Sequence, residues 1–422
     1  MTPPRLSRAA LAAAGSPLPA PPVRIVHLGV GAFHRAHQAW YTHRADDGWG
    51  IAAFTGRRAQ VADRLSPQDG LFTVVTRGPH RDRAEIVGSI ARVHRADEHE
   101  RMLHLMAAPT TALVTLTVTE AGYHFGADGA LDTGDPAIVS DIAALRAGAA
   151  PATPVGRLVA GLDARRRAGA GALAVIPCDN LPDLAARVHE AVVELAEAAG
   201  LDPAPASFVA ASVDRITPHG ADPAAATATG WYDEAAVITE PFSDWTLCGE
   251  FPAGRPEWER AGARVVDDIA AYERRKLLLL NGGHLQLAFH GLLRGHTTIA
   301  EAVADPSCRA GLVAFWDEAD SAIGHGAETS RYRLDLLERF ANPRIEHRLA
   351  QIAVDTVTKL RIRVLPVIAA ERARGGDARA SRAVVQRWRT AAAAGLLPDV
   401  SPADVRAREA ELLTDRNLSS TC

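Results

Sequence analysis

Val23-Arg24-Ile25-Val26-His27-Leu28-Gly29-Val30-Gly31 reads as a β-branched strand that runs into a glycine turn. The residues after it, Ala32 to His43, carry apolar groups at helical spacing. Strand, glycine turn and helix together form the opening of a dinucleotide-binding unit. The glycines let the backbone turn tightly and approach a pyrophosphate, whose charge then sits at the helix N-terminus. Gly29, Gly31, Ala32 and Phe33 are therefore candidate cofactor contacts. The third glycine of the usual fingerprint would fall at position 34, where this chain has His34. On the turn alone, an ordinary glycine-containing turn stays open as the alternative. His34, Arg35 and His37 read as helix-start and cofactor-neighbour residues.

Working outward, further strands are expected at Gly50 to Phe54, Leu71 to Val75, Ala112 to Val118 and Leu173 to Ile176, the last ending at Pro177-Cys178-Asp179-Asn180. Ala-, Leu- and Glu-rich helical segments such as Asp183 to Ala199 separate them. This alternation predicts an α/β fold, a doubly wound Rossmann-type sheet covered on both faces. The second strand ends not in the acidic residue that reads an adenosine ribose but in Thr55-Gly56-Arg57-Arg58. Arg57 either grips a 2′-phosphate, stacks on adenine or lies solvated, so NAD is expected and NADP stays open. After residue 250 helical patterns dominate: Trp258 to Leu292, Ile299 to Asp320, Tyr332 to Phe340, Ile345 to Lys359 and Ser381 to Ala394. Gly and Pro cluster at Gly249 to Pro256, which places a Rossmann-type domain over residues 1–250 and an α-helical domain over 251–422. Asn417 to Cys422 reads as a frayed tail.

The 422-residue chain is long enough for two cores, and its formal charge of -4 gives no reason to expect nucleic acid or an anionic membrane. Arg165-Arg166-Arg167 reads as a solvated helix face. Cys178, Cys248, Cys308 and Cys422 are widely separated, without CxxC or structural zinc spacing, so neither a disulfide framework nor a metal is expected. No 18-residue apolar run exists to span a membrane. The first 22 residues lack a signal-peptide core and read as a strap over the first domain. A cytoplasmic monomer or small homo-oligomer is the expectation.

The most informative segment of the second half is Glu273-Arg274-Arg275-Lys276-Leu277-Leu278-Leu279-Leu280-Asn281-Gly282-Gly283-His284. On an α-helix, measured from Lys276, Glu273 lies about 60° away, His284 about 80° and Asn281 about 140°. Polar groups along one arc of an apolar helix are costly unless they meet each other, a ligand or water. Partial burial disfavours a charged lysine, as a general base for alcohol oxidation requires. Asn281 can then donate to a developing alkoxide and His284 can hold a substrate hydroxyl. A structural network is the competing reading. Tyr272-x-x-x-Lys276 also matches the Tyr/Lys pair of short-chain dehydrogenases, but there the pair lies inside the nucleotide domain.

Taken with Ile25 to Gln38 and this lysine segment, several further motifs run in order over nearly the whole chain. They are Pro67 to Phe72, Thr115 to Tyr123, Cys178 to Pro182, Val213 to Pro218, Gly254 to Trp258 and Arg339 to Pro343. In these the chain resembles the polyol-specific long-chain dehydrogenases, which include mannitol 2-dehydrogenase and fructuronate (mannonate) and tagaturonate reductases. The resemblance implies a Rossmann-type domain, a helical domain, a site between them and metal-free hydride transfer to or from a nicotinamide. It implies Lys276 as acid/base, Asn180 and Asn281 as the oxyanion clamp, and Glu273 as proton relay with Glu120 near its path. It also implies Asp214 and His284 as contacts to substrate hydroxyls, and Arg339 and Lys359 as further substrate contacts. The substrate would be a sugar alcohol, ketose or sugar acid. Thr246 to Glu250 and Asp355-Thr356-Val357 depart from the family pattern and leave specificity open. A sugar acid needs an extra cation that the sequence does not locate.

Asp179 and Asn180 otherwise read as a turn-capping pair, Asp214 as an ion pair with Arg215, and Cys178 as a buried thiol without a base. A nucleotide-binding regulator without turnover is the rival of another class.

Overall fold

The computed structural model describes residues 3–413 apart from 57, 127, 219–221, 223 and 325–327. The tail Asn417 to Cys422 and Arg57 lie outside the described residues. By packing, the chain forms two units: Met1–Arg77 with Asp82–Ile269, and Gly78–Arg81 with Ala270–Cys422.

The first unit is built on a parallel six-stranded sheet. Its strands, in chain order, are β1 (Val23–Leu28), β2 (Gly50–Phe54), β5 (Ile90–His94), β6 (Leu113–Leu116), β7 (Leu173–Pro177) and β8 (Ala206–Phe208). They lie side by side as β5-β2-β1-β6-β7-β8. Numbered within the sheet this is 3-2-1-4-5-6, the doubly wound order, with its switch point between β1 and β6. Successive side chains of β1 alternate between two cores. Ile25 packs on one face with Tyr41, Trp245 and Trp258, and Val26 and Leu28 pack on the other with Met102, Leu158 and Val188. Burial on both faces is why these strands read as continuous apolar runs.

The stretch expected as a strand at Leu71 does not join this sheet. It forms β3 (Phe72–Arg77), antiparallel to β4 (Asp82–Val87) and parallel to β10 (Val237–Thr239) in a separate three-stranded sheet. A third sheet contains β9 (Ala210–Asp214), β11 (Asp244–Cys248) and β12 (Arg264–Val265). Because β12 pairs with β11, the segment after Gly249 packs with the first unit as far as Ile269. Of the helix expected over Trp258 to Leu292, the start is instead a 3-10 turn, Trp258–Ala261, followed by β12, and continuous helical winding begins at Ala270. The N-terminal residues do strap the first unit. Leu6 and Leu11 bury against Leu71, and the Arg8 guanidinium donates to the carbonyls of Leu18, Gly88 and Ile90. Arg165 is not a solvated arginine. It is buried, and donates to the carbonyls of Met106, Ala108, Ala170 and Gly171.

The second unit is helical. Gly283–Leu293 is central, touching Ile299–Ala304, Pro306–Ile323, Leu349–Ile352 and Arg379–Ala393. Two expected helices are broken. Asp305 caps Pro306–Ile323 through the amides of Ser307 and Cys308, and Asp355 at φ 53 separates Leu349–Ile352 from Thr356–Arg363. Among the described residues no helix is long and apolar enough to cross a membrane.

Candidate active site

The glycine turn closes β1 at the switch point of its sheet. Gly29 sits at φ +100, and a Cβ there would lie 2.2 Å from the Thr117 carbonyl oxygen, so only glycine fits. Its amide and that of Val30 both donate to the Phe54 carbonyl at 2.9 Å. The Gly29 carbonyl accepts the Thr117 hydroxyl at 3.0 Å, which obliges His27 Nε2–H to donate to Thr117 Oγ1 at 3.1 Å. His27 Nδ1 then accepts from Thr115 at 2.8 Å. This imidazole is neutral and fully buried, and burial pushes it down to about 3.

His34, standing where the third glycine was expected, stacks on His27 with ring centroids 3.3 Å apart. The close helix–strand packing that a glycine normally permits is made here by two flat rings. Arg35 Nε donates to the Gly31 carbonyl at 3.0 Å, and its other end donates to Ala235. The helix that begins here, Ala32–Ala36, has no side-chain cap, and His37 breaks it from Gln38–Ala45. Its first amides therefore have no partner within the helix. A Cβ at Gly31 would meet only the Gly29 carbonyl, at 3.7 Å. Open backbone, unpaired amides and a switch point together fit a dinucleotide pyrophosphate.

At the ends of the neighbouring strands, Asp179 accepts the amides of Val118 at 2.9 Å and Thr119 at 3.0 Å, and the Tyr123 hydroxyl at 2.7 Å. It thereby holds Thr119 at φ 70 and fixes the loop after β6. Burial raises its carboxyl above the usual range. Asn180, next in the chain, is exposed, as is Glu120. Cys178 is buried, donates to Ile176 and has its thiol pushed far up by burial, which is unsuited to a nucleophile. Asp214 ends β9 opposite Asp244, which pairs with Arg264 at 2.5 Å. Arg215 directs its guanidinium to the carbonyls of Ala36 and Glu240 and to the face of Trp40.

In the second unit, Glu273 lies on the helix Ala270–Arg275, and Lys276–Gly282 winds as a π-helical turn before Gly283–Leu293 resumes the α form. The α-helical angles therefore do not apply to this segment. In a π turn the bonds run i→i+5, so a residue five along falls closer to directly above the first. Lys276 and Asn281 are spaced five apart, and the wide turn sets them closer in angle than the about 140° of an α-helix. The helix Pro306–Ile323 braces it. The Trp316 indole N–H donates to the Leu279 carbonyl at 2.8 Å, and a Cβ on Gly282 would strike the Phe315 ring at 2.8 Å. Lys276 and Asn281 are half-buried. Tyr272 receives the Arg275 guanidinium, 5.0 Å from its ring centroid.

His284 is 8% exposed, with its ring 4.7 Å from both Phe340 and His347 and its Nε2 buried without a partner. Burial, then His347, Arg339 and Arg363, hold it well below the usual imidazole range. Lys359 Nζ donates to the Ile352 carbonyl at 3.1 Å. His284 and Arg339 thus gather with two residues the sequence reading missed, His347 and Arg363, and Lys359 lies within reach of the Arg363 charge. No periodicity links these two to the lysine helix. A second group, His296, Asp305 and Cys308, has ligand-type atoms within 4.8 Å of one another. Its carboxylate is already committed to Arg294, His296 and the helix amides it caps.

Residues 23–260 match the model of the mannitol dehydrogenase Rossmann domain, and residues 268–389 that of the mannitol dehydrogenase C-terminal domain. The chain belongs to the mannitol dehydrogenase family. It is 37% identical to D-mannonate oxidoreductase of Escherichia coli (strain K12) over 86% of this chain and 79% of that one. Identity to mannitol 2-dehydrogenase of Cereibacter sphaeroides is 35%, over 78% and 72%. Among solved structures, Pseudomonas fluorescens mannitol 2-dehydrogenase, in a ternary complex with NAD and D-mannitol, superposes with a TM-score of 0.75. It is 30% identical, covering 99% of this chain and 90% of that one. The family is one of oxidoreductases with a Rossmann-type domain and a helical domain.

Proposed function

We propose that the protein interconverts a secondary alcohol and a ketone on a polyol or sugar acid, with NAD as hydride carrier and Lys276 moving the hydroxyl proton. The observation that carries this is the π turn over Lys276–Gly282, whose wide winding sets Lys276 and Asn281 closer in angle than an α-helix would. The residues of the glycine turn that fit a pyrophosphate support the cofactor, as does the relative seen with NAD and D-mannitol. When bound, the nicotinamide accepts or returns the hydride at the carbinol carbon.

The rest of the step falls to the chain. In oxidation, neutral Lys276 takes the hydroxyl proton, and in reduction its ammonium returns one to the alkoxide. Asn281, and Asn180 in the role the resemblance gives it, hold the reacting oxygen by hydrogen bonds that add no net charge. Glu273, one turn before Lys276, passes the proton towards water. His284, Asp214, Arg339 and Lys359 bind the substrate's remaining groups.

The rival reading, a nucleotide-binding regulator, has no use for a lysine and an asparagine brought together in this way. A screen of NADH and NADPH oxidation with fructose, fructuronate, tagaturonate and xylulose separates them. Turnover of at least one is expected, and cofactor binding without any turnover overturns the enzyme reading. The same screen decides between NADH and NADPH.

A further inference from the structure

Around His284 the second unit gathers positive and neutral nitrogen donors, and no carboxylate hydrogen-bonds to His284, His347 or Arg363 among the described residues. His347 stands edge-on to His284 at 4.7 Å. Arg363 closes the Thr356–Arg363 helix, with its carbonyl 3.2 Å from where a Cβ on Gly282 would lie. The Arg363 side chain thus springs from beside the end of the π turn. Its Nε is buried without a partner, as is His284 Nε2. Asp355 is the acid whose charge reaches Arg363, and it only partly offsets the burial that pulls the guanidinium down. His347, next to Arg339, is pushed down to about 4 and is neutral at pH 7.

Partly buried donors that lack acceptors cost stability unless an acceptor arrives. A guanidinium offers the planar fork that matches a carboxylate, and the imidazole N–H groups add directed donors. A neutral hydroxymethyl group would leave the cation uncompensated. From Lys276 to His284 the helix advances on the order of 10 Å, so a substrate reacting at Lys276 would extend its far end towards this cluster.

We propose that Arg363 and His347, beside His284, form a carboxylate-binding subsite, so that the substrate of this enzyme is a sugar acid and not a neutral sugar alcohol. The proposal rests on the hydride-transfer reading above and sharpens its substrate.

D-mannonate and D-mannitol share one carbon skeleton and differ at a terminal carbon, carboxylate against hydroxymethyl, so they isolate this contact. With the wild-type enzyme, kcat/KM for NAD-dependent oxidation is expected to favour mannonate by at least about 100-fold, the size of a charge-assisted pair. Arg363→Met should cost mannonate roughly 30- to 100-fold, mainly in KM, and shift mannitol by less than about threefold. Arg363→Lys should recover part of the loss. His347→Leu, which keeps all of the cluster's permanent charges, should raise the mannonate KM by about tenfold.

Equal or better turnover of mannitol by the wild type, or an equal loss for both substrates in Arg363→Met, overturns the subsite. Thermal shift provides a readout without turnover. Mannonate should raise the melting temperature of the wild type but not of Arg363→Met, and mannitol at the same concentration should raise neither. If mannonate stabilises the wild type and yet neither compound is oxidised, the subsite stands and the hydride-transfer reading fails. If mannonate gives no stabilisation, the subsite falls whatever the turnover.

Discussion

The glycine turn of the first unit and the lysine turn of the second are both departures from regular structure, but they treat their polar groups in opposite ways. In the glycine turn both glycine carbonyls are met from inside the chain, by Thr117 and by Arg35, and Thr117 is itself held by His27. Backbone amides are what remain to face a ligand. In the second unit the backbone is braced by Trp316 and Phe315, and His284 Nε2 and Arg363 Nε are among the buried side-chain atoms without a hydrogen-bond partner. The first region presents a rigid cradle of amides, suited to any molecule with a pyrophosphate. The second presents side chains, where chemistry and selectivity can be tuned residue by residue.

Breaking the second region at its reacting group should have the largest effect. Lys276→Ala is expected to lower kcat by a thousandfold or more, with NADH affinity by fluorescence titration within about threefold of wild type. Breaking the first region should show the reverse signature. Gly29→Ala forces a Cβ towards the Thr117 carbonyl at a φ that alanine avoids, costing about 2–3 kcal/mol or more in stability. NADH binding should weaken by at least about tenfold, while any residual kcat falls far less than in Lys276→Ala. Removing the amide beside Lys276 tests the pair itself. Asn281→Ala deletes that donor, and kcat should drop by about 100-fold, the scale of losing one oxyanion donor. An unchanged kcat in a folded Asn281→Ala variant would show that Asn281 does not hold the reacting oxygen.

The smallest effect concerns protons. His27 and His347 are held down to about 3 and about 4 by burial, so each binds a proton more tightly when unfolded. The stability they confer is complete above the unfolded value near 6.5 and is lost as pH falls towards those folded values. Each should cost about 1.4 kcal/mol per pH unit through that window. Melting temperature should therefore fall between pH 7 and pH 5, and His347→Leu should flatten the slope. An unaltered slope in that variant would mean that His347 is protonated in the folded protein.

The two regions also differed in how well the sequence announced them. The glycine turn was legible because a β-branched run, two glycines and a helical pattern are local signals, and the strand ranges at Val23 and Gly50 are as read. Its filling by His34 was not, since stacking on His27 depends on how helix and strand approach. Leu71 to Val75 carried a strand signal but no information about which sheet it would join. For the lysine segment the residues were legible and the angles were not. A π turn arises from tertiary bracing by Phe315 and Trp316, which lie more than 30 residues away. His347 and Arg363 reach His284 from a loop and a helix end, beyond any spacing rule.

The central claim is that Lys276 moves the proton, and chemical rescue tests it most directly. Oxidation by Lys276→Ala should be measured at saturating NAD with and without a small primary amine such as methylamine. The account predicts a nearly inactive variant that gains at least about tenfold in rate with the amine, along the amine's basic form. Near wild-type activity without amine would contradict it, and so would an inactive variant that binds NAD normally and gains nothing at any amine concentration.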